Sequence, residues 1–238
     1  MGAVSYLNTK PLIYGLEKGM MKDDIELVLD FPANIANMLL NDEIDMGLVP
    51  VAIIPRLKES HILTNYGICC NGPVASVCLF SDVPLEEITT VLLDYQSKTS
   101  VRLAKILLKE YWKIEPDFLE TAGDFHTQIK GTTAAVVIGD RALAQRNHSK
   151  YVYDLGEAWK AFTGLPFVFA AWVSNKVLDE KFIAAFNAVN QYGLDHLADV
   201  IRENQNNIYS MEDYFYKNID YKIDDFKKEG LNLFLKYI

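Results

Sequence analysis

Short runs of strand-forming apolar residues alternate with helix-period patterns along most of this chain, and that alternation admits few folds. Residues 2–5, 25–29 and 45–49 read as strands. Between them, Pro11 opens a helix reaching to about Lys18, since proline is well tolerated at a first helical position. Residues 33–40 read as a second helix. A strand–helix–strand rhythm of this kind predicts a mostly parallel sheet covered by helices.

The rhythm then changes. Residues 62–79 are rich in strand formers and interrupted by Asn71-Gly72-Pro73, the pattern of a chain leaving one lobe for another. A second α/β series follows, with strands at 91–93, 117–119 and 134–138 and helices at 99–112 and 140–145. An apolar run at 167–173 precedes a largely helical remainder. The apolar spacing over 182–203 predicts one long amphipathic helix there, and the C-terminal helices are expected to pack back on the first lobe.

With 238 residues, half of them hydrophobic, the chain can build one large domain or two smaller lobes. A formal net charge of −9 without a basic run argues against nucleic acid as a partner. An acidic chain still binds an anion where the donors are local to the site. Cys69, Cys70 and Cys78 are odd in number and far from any histidine in sequence, so they read as buried thiols rather than as disulfides or metal ligands. No window approaches the ~20 apolar residues of a membrane span. No basic, apolar leader precedes the first motif, so a cytoplasmic location is expected.

Five stretches are unlike ordinary core. Ser5-Tyr6-Leu7-Asn8-Thr9-Lys10-Pro11 joins a strand end to a helix start, where ligands bind in α/β sheets and free backbone N–H groups favour an anion. Helix capping by Asn8 and Thr9 is the competing reading. Ser76 sits within the apolar run 74–80, and a satisfied structural hydroxyl competes there with a reactive one; no Gly-x-Ser-x-Gly elbow is present. Ser97-Lys98-Thr99-Ser100 forms a hydroxyl-rich turn before a helix, a ready carboxylate site. Gly139-Asp140 again joins a strand to a helix, with tight-turn and capping roles as the alternative. Thr163-Gly164-Leu165-Pro166 is a polar turn entering a buried strand; Trp159, Phe167 and Phe169 around it are either cleft wall or core.

Ser5-Tyr6-Leu7-Asn8, Gly47-Leu48-Val49-Pro50, Val74-Ala75-Ser76-Val77, Ser97-Lys98-Thr99-Ser100, Ile138-Gly139-Asp140 and Thr163-Gly164-Leu165-Pro166-Phe167, in that order and spacing, resemble the chorismate dehydratases of the futalosine route to menaquinone. The resemblance covers nearly the whole chain. It departs in that the first strand starts almost at Met1, where the family has a few more residues. It implies a two-lobed, type 2 periplasmic-binding-protein-like α/β fold with a central cleft. Lobe I is expected to hold residues 1–72 plus 173–238 and lobe II residues 73–172, with crossovers near 71–73 and 171–174.

The resemblance also implies dehydration of chorismate, a small dianion, to 3-[(1-carboxyvinyl)oxy]benzoate, with no metal or organic cofactor. Asn8 and Ser76 are then the expected catalytic residues. Ser97, Thr99, Ser100, Gly139, Asp140, Gly164, Leu165 and Pro166 are expected to bind substrate. The four histidines lie outside these segments and none is an obvious base. Positioning and electrostatic stabilisation are therefore expected to carry the reaction. A related menaquinone-pathway lyase acting on cyclic dehypoxanthinyl futalosine and a non-enzymatic solute-binding protein are the competing readings.

Overall fold

The computed structural model describes every residue, Met1–Ile238, and the chain forms two mixed sheets. β1 (Gly2–Val4), β2 (Val28–Asp30) and β3 (Met46–Pro50) are parallel, with β1 between the other two. The crossovers are α1 (Lys10–Glu17) and α2 (Pro32–Leu40), each with a proline in its first turn. There the missing N–H costs nothing, because it would have no intrahelical partner. These helices bury Leu12, Ile13, Ile35 and Leu39, each side chain contributing about 1.5–3 kcal/mol of apolar burial. The 3-10 segment Val51–Arg56 leads to β4 (His61–Cys70), the last strand before the chain leaves this sheet.

The second sheet holds β5 (Val77–Ser81), β6 (Thr90–Leu93), β7 (Asp117–Glu120), β8 (Thr133–Ile138) and β9 (Tyr151–Asp154), in the order β7-β6-β8-β5-β9. After β6 comes α3 (Thr99–Ile106), which runs on as a π-helical turn, Leu107–Tyr111. After β8 comes α4 (Asp140–Gln145), and after β9 comes α5 (Leu155–Thr163).

The chain then returns. β10 (Phe167–Ser174), buried at all eight residues, inserts antiparallel between β4 and β3 of the first sheet. α6 (Glu180–Asp195) and α7 (Leu197–Glu203) follow, then the short α8 (Met211–Asp213) and a π-helical turn, Tyr214–Asn218. β11 (Asp220–Lys222) pairs with the outer side of β4, and α9 (Asp225–Tyr237) covers β10. α6 packs on α1 so closely that a Cβ at Gly193 would stand 1.7 Å from the Pro11 carbonyl oxygen, so only glycine fits. No helix is long and apolar enough to cross a membrane.

Three expectations change. The sheets are mixed rather than mostly parallel, because β10 and β11 in the first and β5 in the second run against their neighbours. The alternating rhythm bears only on the parallel runs β1–β3 and β6–β8. Residues 167–172, expected in lobe II, belong to the first sheet: the point expected as a crossover lies inside β10. A strand apolar on both faces carries no local mark of which sheet it joins. The helix expected over 182–203 is two, broken at His196, whose Nδ1 lies 2.8 Å from the Tyr192 carbonyl oxygen and whose backbone leaves helical geometry.

Candidate active site

A cavity lies between the two sheets, at the carboxyl ends of β1, β3, β6 and β8. From the first sheet's half it is lined by Tyr6, Asn8, Pro50, Ile68 and Phe169; from the other by Val74, Ser97, Lys98, Thr99, Ser100 and Gly139. Its location follows from the α/β rule: strand ends and helix starts leave polar backbone groups pointing outward together.

The hydroxyl-rich turn sits at the start of α3. Ser97, one residue before the N-cap Lys98, accepts from Ser100 N through its Oγ at 3.1 Å. Thr99 Oγ1 accepts from Ala52 N at 3.2 Å, so this hydroxyl ties the two halves together while keeping its proton for a ligand. The helix start adds a favourable field for an anion. Lys98 is the one cationic side chain in the wall, and no Asp, Glu or His lines the cavity. A lysine in a polar turn reads from sequence as a solvated side chain, which is why its place in the wall was not legible there.

Asn8 is 8% exposed and faces the cavity. Thr9, not Asn8, occupies the N-cap of α1, and it makes no side-chain capping bond. The Thr9 hydroxyl instead donates to Asn8 Oδ1 at 3.5 Å. Capping therefore does not account for this pair.

Tyr6 closes the side of the cavity. Its hydroxyl donates to Gln96 Oε1 in a short hydrogen bond, and burial pushes its pKa well up, so it stays neutral. Gln96 Oε1 also accepts from Arg141 Nη2 at 2.7 Å, and Arg141 is held by both oxygens of the buried Asp94 at 2.8 Å. The Tyr6 ring lies flush against Gly139: a Cβ there would stand 2.8 Å from the ring, and the backbone φ of +66° is one that glycine alone adopts freely. Gly139 N donates to Ser76 O at 2.8 Å.

The other expected site residues fall elsewhere. Ser76 is fully buried behind the wall, where its Oγ accepts from the Tyr214 hydroxyl at 2.8 Å. Asp140 accepts from Leu7 N at 3.1 Å and bridges the halves without lining the cavity; desolvation raises its pKa. Gly164, Leu165 and Pro166 do not line it. Gly164 ends α5 in a left-handed turn with its N–H on Lys160 O, and Pro166 O accepts from Trp159 Nε1 at 3.2 Å. A Thr-Gly-Leu-Pro turn looks alike whether it stops a helix or lines a cleft, and here it stops a helix. Of the three aromatics near it, Phe169 lines the cavity, while Trp159 and Phe167 pack edge to face in the core.

The loop carrying Ser76 is set by Asp154. This buried carboxylate accepts from Val74 N, Ala75 N, Gly156 N and Glu157 N, at 2.7–3.1 Å. Desolvation raises its pKa, against the pull of those N–H groups. Capping α5 and clamping residues 74–75 at once, it holds Ala75 at a left-handed φ of +62°.

The arrangement can hold an organic anion among neutral donors and one cation, with apolar walls and no carboxylate or imidazole in contact with it. Known proteins resemble this chain in sequence and in fold. A chorismate dehydratase of Thermus thermophilus is 27% identical over 220 residues, covering 84% of this chain and 79% of that protein. One of Campylobacter jejuni is 28% identical over 193 residues, covering 78% and 72%. Among solved structures, a protein of Archaeoglobus fulgidus superposes with a TM-score of 0.75 at 12% identity, covering 99% of this chain and 95% of that one. A Candida albicans protein described as having the generic periplasmic binding protein fold gives 0.59 at 14% identity, covering 98% and 88%. The periplasmic aliphatic sulphonate binding protein of Escherichia coli gives 0.60 at 15% identity, covering 99% and 90%. The fold is thus that of the two-lobed periplasmic binding proteins, and, with the family model for menaquinone biosynthesis (VitK2_biosynth) matching residues 1–238, the chain belongs to that family.

Proposed function

We propose that this protein is a chorismate dehydratase, a carbon–oxygen lyase that converts chorismate to 3-[(1-carboxyvinyl)oxy]benzoate and water in the futalosine route to menaquinone. The observation that carries the reading is the cavity wall itself: hydroxyls and a helix start on one side, an amide opposite, one lysine, and no acidic side chain to repel a dianion. The two sheets would mark two lobes that close on the substrate.

Chorismate brings two carboxylates, a ring hydrogen on the ether-bearing carbon and a hydroxyl on the next carbon. Loss of that hydrogen spreads negative charge through the diene into the ring carboxylate. Expulsion of the hydroxyl then makes the ring aromatic. Ser97, Thr99, Ser100 and Lys98 would hold the ring carboxylate where this charge gathers, which is the differential stabilisation catalysis needs. Asn8 would orient the reacting face. With no Asp, Glu or His in the wall, the substrate's own enolpyruvyl carboxylate would take the ring proton, and the departing hydroxide would then take it up as water.

The test is incubation of the purified protein with chorismate, following the aromatic product by chromatography and absorbance. Turnover supports the reading. Binding without turnover would make it a solute-binding protein, and turnover of cyclic dehypoxanthinyl futalosine instead would make it the related lyase.

Ser100→Ala offers a local check. Ser100's N–H donates to Ser97 Oγ, ahead of α3, and its hydroxyl is left for the substrate. Losing a hydrogen bond to a charged group costs about 1.5–3 kcal/mol, so KM should rise about 10-fold or more. The melting temperature should hold, as the bond from Ser100 N to Ser97 Oγ is untouched. A lowered melting temperature with unchanged KM would reduce this turn to a helix cap.

A further inference from the structure

Gln96 does not line the cavity, yet it joins the two halves beside it at two points. It is buried in the turn after β6. Its side-chain Oε1 accepts from the hydroxyl of Tyr6, which follows β1 and lines the wall. Its backbone carbonyl accepts from Ala33 N, in the first turn of α2, at 3.1 Å. Both bonds cross from the second sheet's half to the first's. Arg141 settles which end of the amide meets Tyr6. A guanidinium only donates, so the group 2.7 Å from Nη2 is the oxygen. The other end, Nε2, donates to the Tyr95 hydroxyl at 2.8 Å. A carbonyl that already accepts from a cation is polarised, and accepts more strongly from Tyr6. Arg141 is itself held in place. Both oxygens of the buried Asp94 accept from its Nη2 at 2.8 Å, and the same carboxylate accepts from Gln96 N at 3.0 Å and Ile138 N at 3.1 Å. One carboxylate thus sets the turn after β6, the end of β8 and the guanidinium together.

We propose that Gln96 is a positioning residue for the reaction: braced by Arg141 and Asp94, it pins the Tyr6 hydroxyl and so sets how closely the first half's wall stands to the hydroxyl-rich turn when substrate lies between them. The inference rests on the dehydratase reading and deepens it. Ser97, the first residue of that turn, is the next residue in the chain, so the pin joins Tyr6 to the segment proposed to hold the ring carboxylate. The Tyr6 ring is fixed on its face by Gly139 and at its hydroxyl by Gln96, both from the second half. Without the pin the two walls stand slightly apart around the substrate. The donors then miss the geometry that the elimination needs, which slows the bound complex more than it hinders its formation. A glutamine that served only to satisfy Arg141 would affect folding and leave the rate alone.

The experiment is a kinetic cycle of wild type, Tyr6→Phe, Gln96→Met and the double variant with chorismate, with melting temperatures for all four. Phenylalanine keeps the ring in the wall and removes only the hydroxyl, while Gln96 Oε1 keeps its bond to Arg141. Methionine keeps the length of glutamine and removes the acceptor. Each single change should lower kcat by about 10-fold or more, with KM within threefold of wild type. In the Gln96→Met background Tyr6→Phe should lower kcat no further, because the hydroxyl acts through Gln96. A Tyr6→Phe enzyme with kcat within threefold of wild type overturns the proposal whatever its melting temperature. So does a loss confined to KM, which would mean that the hydroxyl binds substrate itself. Equal losses from Tyr6→Phe in both backgrounds overturn it too, since the hydroxyl would then act without Gln96. Should Gln96→Met fail to fold, Gln96→Ala takes its place in the cycle, since it leaves room for water to satisfy Arg141 and Tyr6. A wild-type protein that does not turn over chorismate overturns the dehydratase reading, and the positioning role with it. An active wild type with an unaffected Tyr6→Phe overturns the positioning role alone.

Discussion

Asn8→Asp is expected to lower kcat for chorismate by about 10²-fold or more while the protein stays folded. The scale is that of removing one donor aimed at developing charge in a dry site. The change preserves shape and alters two things: it deletes the amide donor and sets a carboxylate beside a dianion. The wall contains no acidic side chain, so this would be its first like charge against the substrate. Asp140 already stands nearby, bonded to Leu7 N, and adds to the repulsion. A capping role would make the substitution nearly silent, because Asp and Asn cap helices about equally well. The geometry speaks against capping, since the N-cap of α1 is Thr9. Asn8→Ala should lose similar activity without the added charge. The measurement is steady-state kcat beside thermal unfolding, and an Asn8→Asp enzyme within threefold of wild type would remove Asn8 from the mechanism.

Lys98→Met is expected to raise KM by about 10- to 100-fold and to change kcat far less. Methionine keeps a long flexible stem and removes the charge. A charge-assisted hydrogen bond to a carboxylate contributes about 1.5–3 kcal/mol, which is that range in affinity. Lys98→Glu should be worse still, since it replaces attraction by repulsion. Ionic strength supplies a second readout. Wild-type KM should climb with added salt, and the methionine variant should respond less, because screening acts on the charge it lacks. A Lys98→Met enzyme with unchanged KM and salt dependence would place the lysine in solvent and leave the hydroxyls and helix start as the whole anion site.

Much of this was legible in sequence for a local reason. β1, β3, β6 and β8 are short apolar runs followed by turn or helix-start residues; β1, β3 and β8 end at the cavity, and the turn after β6 reaches it. Asn8 follows β1, Ser97, Thr99 and Ser100 follow β6, and Gly139 follows β8, so the strand-to-helix rule pointed to residues that line the cavity. The same rule over-reached at Asp140, which uses its carboxylate to hold Leu7 N. Gly164, Leu165 and Pro166 share the turn composition but stop α5 instead. Lys98 carries no such mark, because a lysine in a polar turn is as readily solvated as it is part of a cavity wall.

The sequence by itself determined the alternation of strands and helices, the turns that carry the polar groups and the family to which the chain belongs. These rest on interactions within a few residues: side-chain periodicity, the fixed φ of proline and the needs of strand and helix ends. Only the tertiary structure decided that β10 lies in the first sheet, that Ser76 stands behind the wall and that Tyr214 reaches it from the far end of the chain. Those outcomes depend on which buried faces pair across long separations. A fully apolar strand or a buried tyrosine fits many such pairings equally well until the whole core closes around it.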